Sequence, residues 1–164
     1  MSLPPFDYVV TEYGPVVLRV CRALLPLHDA EDAAGDAFLA ALEAYPRLRV
    51  DSDIKAWLVT IAHRKALDVL RRRARHATPV SDVPELPHGG EPVVADERLW
   101  QALRGLPDKQ RQAVAYHYIA DLAYAEVGTI MGTTEAAARR NAADGIKALR
   151  RDYPFTTAKQ EVTP

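Results

Sequence analysis

A Gly-Thr-Thr step at residues 132–134 separates two helical patterns near the C-terminal end of the chain. Gly132 follows an apolar run that ends in Ile130 and Met131, and it suits the left-handed conformation in which many helices end. Thr134 has the side chain of a helix N-cap, whose oxygen accepts a hydrogen bond from the first turn. Two helices joined this tightly must cross, which is typical of a helix-turn-helix unit.

The last predicted helix has two chemically different faces. At about 100° per residue, small and apolar side chains share one side, which we expect to be buried: Ala138, Ala142, Gly145, Ile146 and Leu149. The opposite arc is cationic and could meet phosphates and base edges. Together with the cap residue, it gives the predicted DNA contacts of the helix-turn-helix: Thr134, Arg139, Arg140, Lys147 and Arg150. A solvated basic face on an ordinary bundle helix is the alternative interpretation.

The composition favours helices along the whole chain. Its 164 residues are alanine-rich and only 7% aromatic, which suits an all-α protein. Residues 77–96 carry Pro79, Pro84, Pro87, Pro92 and a Gly-Gly pair without helical periodicity, as linkers do. We therefore predict two small helical domains, residues 1–76 and 97–153, joined by a flexible linker over 77–96 and followed by a disordered tail over 154–164.

Helical stripes are also present in the N-terminal domain. Gly14-Pro15 interrupts the first stripe, so the sequence predicts a short helix before the proline and a longer one from it. The next helix opens at Asp29 with acid in its first turn, where the helix dipole favours it. A further helix from about Asp53 to Arg75 has Trp57 on its buried stripe and cations on its other face.

Charge is strongly segregated although the net charge is only −1. Residues 55–75 contain seven cations against the single anion Asp68, whereas residues 77–97 contain five acids and no Lys or Arg. Blocks of opposite sign at fixed places indicate local partners rather than uniform attraction to nucleic acid.

Three stretches resemble bacterial sigma factors of the extracytoplasmic-function (ECF) group. Residues 106–132 begin with Leu-Pro and Lys-Gln-Arg and end in the glycine turn, as does the promoter-binding domain of that group. Residues 29–38 are similar to its signature D-A-E-D-x-x-Q-E-x-F, with Gly35 and Asp36 in place of Gln-Glu. Residues 55–73 resemble R-A-W-L-x-x-I-A-R-N-x-x-x-D-x-L-R-R.

This resemblance implies partners and sites. The acidic helix would dock on core RNA polymerase through Asp29, Glu31, Asp32 and Asp36. The basic helix would bind the minus-ten promoter element and help to melt it through Arg64, Lys65, Arg71 and Arg72. In the family, the loop before this helix helps to read a flipped base, which points to Arg47, Arg49, Asp51 and Asp53.

The expected function is that of an ECF-type sigma factor. Such a protein binds core RNA polymerase and directs promoter recognition and melting for transcription initiation. Its expected partners are core polymerase and promoter DNA, and the family allows an anti-sigma factor as a further partner.

Several other classes of function are not favoured by the sequence. No nucleophile–base pair, phosphate loop or metal motif is present, so we predict no catalytic residues, no metal site, no cofactor and no enzymatic activity. Cys21 is the only cysteine, which excludes an intramolecular disulfide and fits a small core residue. His117 is also expected at the core or its boundary. The N-terminal stretch lacks a basic signal-peptide region and no run is apolar enough for membrane insertion, so we expect a cytoplasmic protein.

Departures from the family pattern leave alternatives open. They lie at Gly35-Asp36 and at Asp144-Gly145, where a carboxylate is placed near the expected phosphates and a glycine weakens the last helix by roughly 1 kcal/mol relative to Ala. Recognition of an upstream element could therefore be altered. One alternative is a helix-turn-helix regulator or degenerate sigma-like protein that binds DNA or polymerase without initiating. Another is an inhibitory protein that occupies polymerase without promoter DNA.

Overall fold

A computed structural model describes residues 2–76 and 94–152 of the chain. The described residues form helices and connecting turns, as the all-α prediction requires: α1 Phe6–Leu24, α2 Leu27–Ala44, α3 Ile54–Arg75, α4 Val94–Arg104, α5 Asp108–Val114, α6 Tyr124–Met131 and α7 Glu135–Asp152. A 3-10 turn, Tyr45–Arg47, follows α2, and a π-helical turn, Ala115–Ile119, continues α5. Most of the predicted linker and all of the predicted tail lie outside the described residues.

The first helix is continuous, so the predicted break at Gly14-Pro15 is wrong. Pro15 lies on the exposed side of α1, where the carbonyl that loses its helical partner can bond to water. The buried stripe continues on both sides of the proline: Val9, Val17, Val20, Cys21 and Leu24. Burial of this stripe offsets the roughly 3 kcal/mol that an interior proline costs a helix.

Helices α1, α2 and α3 pack against one another in the N-terminal half. The buried side of α2 consists of alanines, which let its neighbours approach closely: Ala30, Ala33, Ala34, Ala37 and Ala41. Asp53 caps α3, because its carboxylate accepts a hydrogen bond from the Ala56 amide at 3.0 Å. Trp57 is half-buried and lies beside Tyr45, with 6.2 Å between the ring centres.

The predicted turn of the helix-turn-helix is confirmed. Gly132 is left-handed with φ of 69°, and the Thr134 hydroxyl accepts a hydrogen bond from the Ala137 amide at 3.1 Å. Gly128 on α6 is needed for close approach, since a Cβ there would lie 3.0 Å from the Thr133 carbonyl oxygen. Pro107 occupies the cap position of α5 and makes no side-chain capping hydrogen bond.

The predicted buried face of α7 is confirmed at Ala138, Ala142, Gly145 and Leu149, whereas Ile146 is half-buried. Gly145 also has a use that the sequence did not reveal. Gly145 is buried against α5, where a Cβ would lie 2.6 Å from Val114 Cγ2 and 3.2 Å from the Gln110 carbonyl oxygen. The glycine therefore allows α7 to approach α5 closely, in addition to weakening the helix.

The N-terminal and C-terminal halves contact each other. Helix α1 packs on α4, α5 and the π-helical turn, and α3 packs on α6. Buried His63 of α3 forms a hydrogen bond through Nδ1 with the hydroxyl of buried Tyr116 in the π-helical turn. Burial, followed by the charges of Arg64 and Arg71, lowers the pKa of His63 to about 4. His63 is therefore neutral at neutral pH.

The contact between α1 and α4, which also joins the two halves, is polar and partly exposed. Arg22 of α1 lies over the ring of Trp100 at 5.0 Å from its centre and pairs with Glu97 at 3.5 Å. Arg104 donates hydrogen bonds to the Arg22 carbonyl at 3.3 Å and to Glu97 at 3.1 Å. Cys21 is fully buried nearby, as predicted, and burial raises the pKa of its thiol to about 12.

Candidate nucleic-acid interface

Helix α7 presents a predominantly cationic side to solvent. The five predicted contact residues are all exposed: Thr134, Arg139, Arg140, Lys147 and Arg150. At about 1.5 Å per residue, Lys147 is about 12 Å further along the helix than Arg139. In a helix-turn-helix the N-terminal residues of the second helix reach base edges. Arg139, near the start of α7, is thus better placed for a base than Lys147 or Arg150, which are placed for phosphates.

The side chains on this face differ in how firmly they are held. The Thr134 hydroxyl is engaged as the helix cap. Arg139 pairs with Glu135 at 3.1 Å and lies over the ring of Tyr124, 4.9 Å from its centre. Asp144 is exposed on the same helix, one turn from Arg140 and Lys147. The cationic face therefore includes a carboxylate, as the sequence predicted.

Helix α3 presents the second cationic surface. Arg64, Arg71 and Arg72 are exposed, whereas Lys65 is half-buried. Lys65, Arg71 and Arg72 line an open groove. The other residues of the groove are Asp36, Asp68, Ala74 and Arg75. Asp68 pairs with Arg71 at 3.8 Å, so part of the positive charge is already compensated.

The predicted polymerase-binding carboxylates fall into two groups. Glu31, Asp32 and Asp36 are exposed on α2, where His28 Nε2 lies 3.7 Å from Asp32. An exposed carboxylate surface of this kind can meet a basic partner. Asp29 is different, because its side chain is only 18% exposed and it forms an ion pair with Arg73 of α3. Asp29 therefore joins α2 to α3 within the protein.

The structure brings the two predicted surfaces of the N-terminal half together. Asp36 of the polymerase-binding set lines the groove that contains Lys65, Arg71 and Arg72. A neighbouring hollow joins Asp29, Asp32 and Asp36 to the basic end of α3 at Arg72 and Arg73. The acidic and basic surfaces are therefore adjacent along one side of the α2–α3 pair.

The predicted base-reading loop meets the helix-turn-helix at its last residue, Asp53. Arg49 and Asp51 are exposed and paired, with Nη2 and Oδ2 3.1 Å apart. Asp53, which caps α3, lies beside Glu126 of α6. Burial, followed by the charge and hydrogen bonding of Asp53, raises the pKa of Glu126, while Lys55 lowers it. Sequence reasoning missed Glu126, because no local pattern links it to the loop.

A group of aromatic residues next to α7 was also missed. His117 stacks on Tyr124 with 3.7 Å between ring centres and 13° between planes. Tyr118 is 55% exposed beside them. The predicted boundary position of His117 is confirmed, since it is half-buried and donates a hydrogen bond from Nδ1 to the Leu122 carbonyl at 2.8 Å. Spacing within the helical pattern gave no signal for this stack.

Comparison with known proteins identifies both halves. The family model Sigma-70 region 2 matches residues 9–76, and the model Sigma-70, region 4 matches residues 96–149. A curated relative, the ECF RNA polymerase sigma factor SigE of Mycolicibacterium smegmatis, is 30% identical over 162 residues, covering 93% of this chain and 62% of the relative. This chain belongs to the ECF sigma factors. The resemblance predicted from the sequence is confirmed.

Other relatives of this ECF sigma factor are also described as sigma factors. The ECF RNA polymerase sigma factor SigK of Mycobacterium ulcerans is 32% identical over 104 residues, covering 58% of this chain and 56% of the relative. The ferric citrate uptake sigma factor FecI of Escherichia coli is 26% identical, covering 84% and 83% of the two chains. The chain spans about half of SigK and 62% of SigE.

Solved sigma factor structures share the fold. The sigma factor RpoE of Bartonella quintana, in complex with the anti-sigma factor NepR, superposes with a TM-score of 0.77 at 18% identity, covering 92% of this chain and 98% of that chain. CnrH in complex with the cytosolic domain of CnrY superposes with a TM-score of 0.69 at 21% identity, covering 93% and 89%. Across residues 2–76 and 94–152, no helix has both the length and the apolar character needed to cross a membrane.

Proposed function

We propose that this ECF sigma factor binds core RNA polymerase and directs promoter recognition and melting. One observation carries the proposal: each half of the chain displays a cationic helix surface, on α3 in region 2 and on α7 in region 4. Such faces bind the phosphate backbone, and helix side chains in a groove read bases. Sigma factors are generally not enzymes, and the proposed role of this chain is binding and strand separation.

The two cationic surfaces would divide the promoter between them. The α3 groove is open, as a surface that tracks the backbone of a separated strand must be. Arg64, Lys65, Arg71 and Arg72 are the residues that we assign to this minus-ten contact. The exposed arc of α7, with Thr134 at its start, is assigned to the upstream element.

Core polymerase would bind α2 next to the minus-ten surface, along the same side of the α2–α3 pair. We assign this contact to the exposed carboxylates Glu31, Asp32 and Asp36. The ion pair of Asp29 with Arg73 gives Asp29 a supporting role, because a carboxylate already paired inside the protein is less available to a partner.

Run-off transcription tests the proposal. Purified core polymerase from the source organism would be incubated with pooled genomic promoter fragments, with and without the protein. We expect new start sites that share a sequence motif, and we expect them to be lost with Arg71→Ala combined with Arg72→Ala. Arg19→Ala is the matched control, because Arg19 is an exposed cation on α1 outside both surfaces.

The same experiment separates the alternatives. Core binding without initiation would favour an inhibitory or degenerate sigma-like protein. Neither core binding nor initiation would contradict the proposal and leave a helix-turn-helix regulator.

We also propose a cytoplasmic location and an anti-sigma partner. The anti-sigma complex of the RpoE relative supports the idea of such a partner, and the shared fold extends over both halves. A protein that co-purifies in equal amount and blocks run-off transcription would support this proposal. Full transcriptional activity of the chain in the presence of every co-purified protein would contradict it.

A further inference from the structure

Arg139 belongs to a cluster of planar side chains at the start of α7. Tyr124, the first residue of α6, contacts two of them. Its ring stacks nearly parallel on His117, with centres 3.7 Å apart, and the guanidinium carbon of Arg139 lies 4.9 Å from its centre. Cations are attracted to the face of an aromatic ring, and arginine in particular lies flat on it.

The aromatic residues that contact Arg139 are themselves held in place by their neighbours. His117 donates a hydrogen bond from Nδ1 to the Leu122 carbonyl at 2.8 Å, which sets the orientation of its ring. Tyr118 packs edge-on against His117, with centres 4.8 Å apart and planes at 86°. Burial and then Tyr118 raise the pKa of Tyr124, whereas the nearby charge of Arg139 lowers it. This agrees with a guanidinium held near the ring.

A second restraint acts on Arg139 from its own helix. Its Nη2 donates to Glu135 Oε1 at 3.1 Å, one turn earlier in α7. The guanidinium has five N–H donors in its plane, and its one bond through Nη2 leaves other donors available. The side chain remains 61% exposed. It is restrained but can still donate to a ligand.

The neighbouring arginine lacks these restraints. Arg140 is exposed, and within residues 2–76 and 94–152 it forms neither an ion pair nor a contact with an aromatic ring. A long side chain of this kind can follow a phosphate but loses more conformational freedom when it pairs with a base edge. The restrained Arg139 therefore suits a base edge, whereas the unrestrained Arg140 suits a phosphate.

We propose that Tyr124 and His117 are positioning residues that hold Arg139 for the reading of a base in the upstream promoter element. The ligand chemistry is a pair of acceptors on a base edge, such as O6 and N7 of guanine, which an oriented guanidinium pairs with bidentately. Arg140 contacts phosphate. This inference rests on the proposed function, since it requires α7 to lie in the promoter groove.

The test uses the full chain bound to core polymerase and a promoter recovered from the run-off experiment. Binding is measured on that promoter and on a series with each upstream base substituted, at several salt concentrations. Tyr124→Leu removes the ring face but keeps an apolar side chain, and Tyr124→Phe keeps the ring. Circular dichroism melting of each variant shows whether the domain still folds.

We expect Tyr124→Leu to weaken promoter binding on the order of fivefold. It should reduce discrimination at the same base position as Arg139→Lys, with little change in salt dependence. Tyr124→Phe should retain discrimination. Arg140→Ala should weaken binding on all sequences alike and reduce the salt slope by about 1.

Three results would overturn the inference. One is full discrimination by folded Tyr124→Leu, and another is an equal loss on every sequence. The third is additive effects of Tyr124→Leu and Arg139→Lys in the double variant, since residues that act together are not additive. If the wild-type complex selects no promoter at all, the proposed function itself fails and the inference fails with it.

Discussion

Gly145 lies in the middle of the proposed recognition helix and marks the point where α7 approaches α5. A Cβ at this position would be 2.6 Å from Val114 Cγ2 and 3.2 Å from the backbone oxygen of Gln110. The first neighbour is a short, branched side chain and the second is backbone, so neither can move far. Gly145→Ala should therefore force α7 away from α5.

The change in the free energy of unfolding on Gly145→Ala follows from two opposing contributions. Replacing an interior helical glycine by alanine stabilises a helix by about 1 kcal/mol. Overpacking a buried contact typically costs about 1 to 3 kcal/mol. For Gly145→Ala we expect the cost to dominate, with a net loss of up to about 2 kcal/mol in the free energy of unfolding.

Gly35 provides the matched control. It is also inside a helix, α2, but it is exposed and a Cβ there would meet nothing within 4 Å. Gly35→Ala should stabilise the protein by about 0.5 to 1 kcal/mol, because only the helix propensity changes. The two alanine variants should thus differ by about 1 to 3 kcal/mol.

Urea denaturation followed by far-UV circular dichroism measures this difference, and promoter binding by the holoenzyme shows whether the displaced α7 also binds less well. If Gly145→Ala were as stable as Gly35→Ala, the close α5–α7 contact would not constrain residue 145. Our account of the glycine would then be refuted.

Three further predictions concern charge and pH. Glu126→Gln should stabilise the protein at neutral pH by removing repulsion from Asp53. This stabilisation should disappear at acidic pH, because Glu126, whose pKa is raised, is already protonated there. Urea titrations that show equal stabilisation at both pH values would contradict this prediction. The pKa of His63 is lowered to about 4, so between that value and the ordinary pKa of about 6.5 the unfolded chain binds a proton that the folded chain does not. The free energy of unfolding should therefore be highest above about pH 6.5 and should fall as the pH drops towards 4. Denaturation curves of His63→Gln should lack this decline. Asp29→Asn should destabilise the protein by about 1 kcal/mol, because it breaks the ion pair to the half-exposed Arg73 of α3. Asp32→Asn should leave stability within about 0.5 kcal/mol and weaken binding to core polymerase. An equal effect of both variants on stability would show that the two carboxylates have the same role.

The sequence by itself determined the features that depend on nearby residues. The turn at Gly132 and Thr134 was predictable because a left-handed glycine and a capping hydroxyl are local requirements. The buried and cationic faces of α7 follow from the helical repeat alone, and the core position of Cys21 was expected from its residue type. The order of an acidic helix, a basic helix and a helix-turn-helix was sufficient to indicate the family, which the matched regions confirm.

Tertiary structure decided the features that join distant parts of the chain. Pro15 remains inside α1 because burial on both sides of it outweighs a local penalty. Likewise, Gly145 became a packing residue only because α5 lies against it. Asp29 has the same residue type as the exposed Asp32, yet Arg73 reaches only Asp29. The support of Arg139 by Tyr124 also requires α6 and α7 to cross. In each case the deciding energy comes from a neighbour that the local sequence does not specify, so only the folded arrangement could reveal it.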